Sequence, residues 1–390
     1  LFNLFYPSRS KDIIASFLTH YRQSVHGALP IWSHMANENW CMIGYHGVSV
    51  VADAYVKGIE MDRELALEAV VSNSIIPYLD GLKGYMELGY VPTEGSANSA
   101  SVTLEYGYDD WTIYNMARMM GRKEIANKYL KRAAAYKHLV DEKLGFIRPK
   151  DSSGNMKPDF DVLDTHGQGF IEGNSWNYSF YVPQDVNGMK KFMGGDRRFV
   201  ERLDSLFTME LPAKYYENTE DITKEGLMGN YVHGNEPSQH IPYLYMWTSQ
   251  PWKTQYRLRE IMDKMYRNNI DGLCGNDDCG QMSAWYIFTA MGFYPVCPGS
   301  DQYVLGAPYF KKMVVHLENG KDLVINAPKV SARNRYVKSV RLNGKEYHKA
   351  YLTHQDICNG GELYFEMSNT PNKKRVFTEE QKPYSMTSEE

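Results

Sequence analysis

The sequence predicts a mainly α protein, a two-layer toroid of helices followed by a small β module. Three observations lead there. Between residues 11 and 291, segments apolar on nearly every side alternate with segments apolar on one face, as inner and outer helices of a toroid require. Loops rich in Gly, Asn and Pro join them, too long to be bare connections. After Pro298 the pattern becomes that of strands, punctuated by two Asn-Gly turns.

Taken in order, the first helical segment is 12–21. The second, 40–57 (WCMIGYHGVSVVADAYVK), is apolar all round and followed by Gly58, a C-cap residue. Segment 62–72 (DRELALEAVVS) has one polar face. Segments 109–120 and 122–139 repeat the alternation, and 174–193, 197–209, 238–247, 254–265 and 278–291 continue it. Strands 312–318 and 322–326 flank Asn319-Gly320, while 336–342 and 345–347 flank Asn343-Gly344. Segment 361–367 (GELYFEM) adds another strand. The expected division is therefore a helical domain at 1–298, a β module at 299–375 and a disordered polar tail at 376–390.

With 390 residues the chain has ample core, and a formal net charge of −4 leaves no electrostatic footprint for nucleic acid or a membrane surface. No apolar run reaches membrane-spanning length, so no membrane insertion is expected. Five cysteines are too few for a disulfide framework; Cys274 and Cys279 either pair or stay free, and neither has zinc-site spacing. Thirty Tyr, 15 Phe and 7 Trp suit either a large core or sugar binding, in which rings pack on a pyranose while amides and carboxylates hold its hydroxyls.

Four polar-aromatic stretches sit at loop-to-helix junctions: 30–46 (PIWSHMANENWCMIGYH), 170–185 (FIEGNSWNYSFYVPQD), 233–245 (HGNEPSQHIPYLY) and 275–285 (GNDDCGQMSAW). Helix capping explains any one acid there, and Asp278 with Gln281 fits a capping box. Only one of Asp277 and Asp278 can be the cap, so the other is left for chemistry. A toroid gathers successive junctions around one rim, which favours a shared cleft over four separate caps.

Glu172, in a Gly-Asn loop, is the candidate catalytic acid, because burial would raise its pKa and glycoside hydrolysis needs a protonated carboxyl. His233 and His240, which flank Glu236, are the candidate sugar-hydroxyl contacts, with Asn174 and Trp176 beside Glu172; Glu236 adds a third oxygen-rich site. Asn235, Glu236, Gln239 and Asp278 offer hard oxygen ligands without Cys, a set suited to Ca²⁺. His46 is expected to be a satisfied polar group on a buried helix. No GxSxG or phosphate-binding pattern is present.

At these residues the sequence resembles glycoside hydrolase family 92, the calcium-dependent inverting exo-α-mannosidases. LPIWSHMANENWCMIGYHGVSVVADAY, EGNSWNYSFYVPQD, HGNEPSQHIPYLY and GNDDCGQMSAWYIFTAMGFYPVCPGSDQYVLGAPYF carry the resemblance, which covers nearly the whole chain. It implies an (α/α)6 barrel, here incomplete at its N-terminus, with Glu172 as general acid and Asp278 as general base. Asp277 then takes the structural role. Glu236 would bind the terminal mannose or help build the calcium site. The implied substrate is an α-mannoside, mannan or N-glycan, and the implied location periplasmic, cell-surface or secreted. The family's N-terminal β-sandwich and a Trp-Asp-Thr stretch are expected to precede this chain as an intramolecular partner, and the C-terminal strands to lack their sheet partners. Asn276 departs from relatives that carry an acid two residues before the base. The competing readings are a non-catalytic glycan-binding protein and a polysaccharide lyase, which needs a Tyr/His or Lys base and a basic subsite instead.

Overall fold

The computed structural model describes residues 1–35, 37–217 and 222–389; Ala36 in the first motif and Glu390 in the tail lie outside the described residues. The protein is mainly α, a helical toroid with a small β module. Its innermost element is the helix Ser99–Met119, buried at every position from Ser99 to Ala117, so it is lined on all sides by other elements. Helix Lys123–Arg132 packs back on it and buries only Ala126 and Tyr129, as an outer helix should. Helices Gly47–Val56 and Arg63–Asn73 form a similar pair against the same core, the second capped by Asp62, whose side chain accepts the Leu65 N–H. Pro7 opens the long helix Pro7–Gln23, where its missing N–H costs nothing.

Helix boundaries depart from the periodicity where tertiary contacts hold the backbone. The 40–57 segment is helical only over Gly47–Val56. Its first residues are irregular, because Gly44 has φ +81° and Asp109 takes the Tyr45 N–H at 3.0 Å. The 109–120 segment starts ten residues earlier than its pattern, at Ser99, and 122–139 divides into Lys123–Arg132 and a 3₁₀ turn at Ala135–Leu139. Segment 174–193 breaks around Pro183 into Ser175–Tyr178 and Val186–Phe192, the latter capped by Asp185. Segment 238–247 is 3₁₀ rather than α, in two pieces that each begin beside a proline.

Beyond the last long helix, Gln281–Met291, lie two sheets. The first has the order Tyr351–Thr353, Gln302–Leu305, Phe293–Tyr294, and so straddles the boundary expected at residue 298. The second has five strands in the order Lys345–Glu346, Tyr336–Leu342, Gly361–Ser368, Asp322–Asn326, Lys312–His316. Both Asn-Gly hairpins form; at Asn343-Gly344 both residues have positive φ, the geometry of a two-residue hairpin turn. The C-terminal strands pair with one another, with Lys345–Glu346 and Lys312–His316 at the two edges of the five-stranded sheet.

The tail is a further correction. Rather than disordered, Tyr384 to Thr387 dock on the toroid: Ser385 is fully buried, and the Ser385 hydroxyl and Thr387 N–H both donate to Asp185, at 2.7 and 2.9 Å. A polar composition hid this, because the anchoring groups are hydroxyls and backbone rather than apolar side chains.

Candidate active site

Three loops bring the candidate carboxylates together. Glu172 sits at φ +51° in the loop before Ser175–Tyr178, Glu236 opens a 3₁₀ turn, and Asp278 lies in the loop before Gln281–Met291. The Asn235 amide donates to Glu172 Oε2 at 2.7 Å, tying the first loop to the second. The second and third loops touch through glycines: a Cβ on Gly275 would collide with the backbone of Gly234, and Asn276 N–H donates to the Gly234 carbonyl at 3.2 Å. Only residues without side chains permit this approach.

Glu236 is the carboxyl most perturbed by this arrangement. Burial first, then a hydrogen bond and repulsion from Asp278, then Glu172, push its pKa up to about 8. Its Oε1 is buried without a hydrogen-bond partner in the protein. Gln239, 1% exposed, accepts from Gln281 Nε2 at 3.0 Å through its side-chain oxygen, and Gln281 also reaches the Tyr294 hydroxyl. Asn235 spends its Nδ2 on Glu172, so its side-chain oxygen is the atom it could offer a cation.

This set fits a hard cation in one respect: it presents oxygen donors around an orphaned carboxylate oxygen. Among the described residues no cluster of three or more His, Cys, Asp and Glu side chains stands in metal-binding geometry, so amide oxygens from Asn235 and Gln239 would have to complete the ligand set. All five cysteines are free, Cys274 and Cys279 included.

The predicted capping box at Asp278 and Gln281 does not form. Asp278 and Cys279 both have positive φ, and the helix starts at Gln281 behind Gly280. Asp277 holds the helix start instead: its carbonyl accepts from Gly280 and Gln281, and its carboxylate from the Ser283 N–H and hydroxyl at 2.9 and 3.0 Å. Asp278 is thereby left exposed beside Glu236.

Three predicted sugar contacts lie elsewhere. His233 is fully buried, both ring nitrogens bonded to tyrosine hydroxyls, Tyr231 at 2.7 Å and Tyr266 at 2.8 Å; burial lowers its pKa to about 3. His240 bonds the Phe180 carbonyl at 2.8 Å, and burial lowers its pKa to about 4. Asn174 is the capping-box residue of Ser175–Tyr178 and also bonds Leu163 and Asn230. Each flanks a cleft residue in sequence, but the chain turns it into the core. Trp176 is half-buried, its ring 4.8 Å from Phe146 and its indole nitrogen buried without a partner.

His46 is the satisfied polar group expected of it, and the carboxylates that satisfy it form a second polar cluster that sequence reasoning missed. His46 is clamped by Asp109 through Nδ1 at 2.9 Å and by Glu105 through Nε2 at 2.7 Å. Burial opposes its charge, but the two carboxylates outweigh it and raise its pKa well above the usual value. Glu105 and Asp109 are four apart on the innermost helix, one face of an otherwise buried segment. That spacing was the available signal; starting the helix at Asp109 concealed it. Tyr178 links the cluster toward the Glu172 loop, since Glu105 and Glu172 both act on its hydroxyl.

Carboxylates brought together from the rim loops of a helical toroid are the groups that glycoside hydrolysis uses. The chain belongs to glycosyl hydrolase family 92: the family's catalytic-domain profile matches residues 1–369. A family 92 α-mannosidase of Bacteroides thetaiotaomicron superposes with a TM-score of 0.92 at 44% identity, over 98% of this chain and 50% of that one. The same enzyme in complex with mannoimidazole gives 0.94. A family 92 inverting mannosidase of that organism gives 0.89 at 40% identity, over 99% of this chain and 54% of that one. An uncharacterised secreted glycosidase of Arthroderma benhamiae is 28% identical over 356 residues, 80% of this chain and 43% of that protein. The chain thus spans about half the length of the relatives it matches. Among the described residues, no helix is long and apolar enough to cross a membrane.

Proposed function

We propose that this chain carries the catalytic carboxylates of an inverting α-mannosidase that removes terminal mannose from α-mannosides, mannan or N-glycans. The observation that supports it most directly is the meeting of Glu172, Glu236 and Asp278 from three loops, with Asn235 bonded to Glu172. The family 92 relatives that are α-mannosidases, one of them inverting, support the same reading.

In this mechanism Glu172 gives its proton to the glycosidic oxygen as the C1–O bond breaks. Asp278 takes a proton from a water attacking C1 on the opposite face, and the sugar leaves with inverted configuration. Inversion needs the two carboxyls roughly 6.5–9.5 Å apart, so that the water fits between them. Asn235 fixes the rotamer of the acid, and Asp277 frees Asp278 from capping. Asn235, Glu236, Gln239 and Asp278 would hold a calcium ion, with Glu236 ionised when it binds. Bound calcium would supply positive charge that holds sugar hydroxyls. Export to the periplasm, cell surface or medium accords with the secreted relative.

Release of free mannose from α-mannosides by the protein tests this. Glu172→Gln and Asp278→Asn should each lower kcat by at least about a hundredfold, and a calcium chelator should abolish turnover. Intact release in both variants would overturn the residue roles. A wild-type protein that binds mannosides without ever cutting them would instead be a glycan-binding protein.

A further inference from the structure

A groove of about 750 Å³ runs along the flank of the loop that leads to Asp278, between the end of helix Trp252–Met265 and the outer face of Gln281–Met291. Its volume lies within the roughly 300–1,000 Å³ of small-ligand sites. Ser283, which donates to Asp277, lines it, so the groove begins at the structure that positions the candidate base.

The lining combines rings with amides. Tyr266, Tyr286 and Tyr309 form a row, with ring centroids 5.0 Å and then 6.3 Å apart. Tyr309 is held in advance: Asp263 accepts its hydroxyl at 2.8 Å, and the Arg259 guanidinium lies 4.2 Å from its ring centre. A ring fixed in this way loses no rotamer freedom when a ligand packs on it. Asn268 and Asn269 supply amide donors and acceptors, and the fully exposed Ile270 supplies apolar surface. Among the described residues Arg267 is the one charged side chain in the lining and no carboxylate lines it, so the groove suits a neutral, hydroxyl-rich chain better than a cationic one.

We propose that this groove is a subsite for sugar units of an oligosaccharide beyond the terminal one, with Tyr286 as its stacking residue and Asn269 as its hydrogen-bonding residue. The inference rests on the mannosidase reading and adds to it a residue-level account of chain-length preference. An exposed apolar stretch at Ile270 also fits a protein interface, but continuity with the Asp277–Ser283 contact and the alternation of rings with amides favour a glycan.

The test uses the Glu172→Gln protein, which should bind without turning over, titrated with a linear α-mannotriose and with methyl α-mannoside. Tyr286→Ala and Asn269→Ala are added singly, with thermal melting as a folding control. Tyr286→Ala should weaken mannotriose about fivefold and leave methyl α-mannoside unchanged, and Asn269→Ala should act in the same direction. Equal affinity of the parent for the two ligands overturns the groove while leaving the mannosidase reading intact. So does a substitution that changes neither affinity, or both equally. A sedimentation change in Tyr286→Ala would mark the groove as an interface between copies and overturn it too. A parent that binds neither mannoside overturns both readings.

Discussion

Asn235 holds Glu172 through an amide hydrogen bond of 2.7 Å, so the proposed acid is oriented by the residue that immediately precedes Glu236. Removing the donor should disturb geometry more than folding. Asn235→Ala is expected to lower kcat about ten- to a hundredfold, the effect of a misplaced catalytic group, with a small change in melting temperature. Asn235→Asp, which sets a carboxylate against Glu172, should be worse. Initial rates and melting curves on both variants check this.

The approach of Gly275 to Gly234 makes position 275 intolerant of a side chain, since a Cβ there would collide with the Gly234 Cα. Gly275→Ala must push the 234 and 275 backbones apart, at a cost of about 1–3 kcal/mol, and should reduce activity in parallel by separating Glu236 from Asp278. Denaturant unfolding and mannose release, measured on one preparation, should fall together.

Glu236 predicts a pH dependence of stability in the metal-free protein. Its folded pKa, about 8, lies above the usual carboxyl value of 4.5, so the folded state binds the proton more tightly than the unfolded state. Its contribution is fully present below pH 4.5 and is lost as the pH rises toward 8. Melting temperature without calcium should therefore decline across that window, and Glu236→Gln should remove this component of the slope. If Glu236 helps to hold calcium as proposed, adding the ion should restore stability at high pH, because a cation favours the ionised carboxylate.

His46 has the same sign. Its raised pKa means the clamp by Glu105 and Asp109 stabilises the fold below pH 6.5, and the contribution fades as the pH climbs through the higher folded value. His46→Ala leaves the two carboxylates facing each other without a cation. The imidazole is 40% exposed, so a loss of about 1–3 kcal/mol is expected, less than for a fully buried pair. Chemical denaturation at pH 6 measures it.

Asp185 caps Val186–Phe192, accepts from Tyr136, and receives the tail through Ser385 and Thr387. Asp185→Ala strands these donors in a fully buried site and should cost about 2–4 kcal/mol. Limited proteolysis should then cut near residue 384, where the wild type resists.

Much of the architecture was legible because it depends on local pattern. Alternating apolar and one-faced segments marked the helices, and Asn-Gly marked the hairpins. The three carboxylates that meet were each visible at a loop-to-helix junction. What misled was proximity along the chain. His233, Asn174 and His240 flank cleft residues in sequence, but a loop backbone sends neighbouring side chains in opposite directions, and these three bury as core hydrogen-bond partners.

By itself the sequence determined the class of fold, the strand hairpins and the residue types at the rim, because helix and strand periodicity and turn chemistry act within a few residues. The tertiary structure alone decided that Asp277 rather than Asp278 holds the helix start, that Asn235 orients Glu172, and that His46 sits between two carboxylates 59 and 63 residues away. It also decided that the polar tail is anchored. Each of these depends on hydrogen bonds between groups distant in the chain or on a positive φ, and neither leaves a periodic trace in composition.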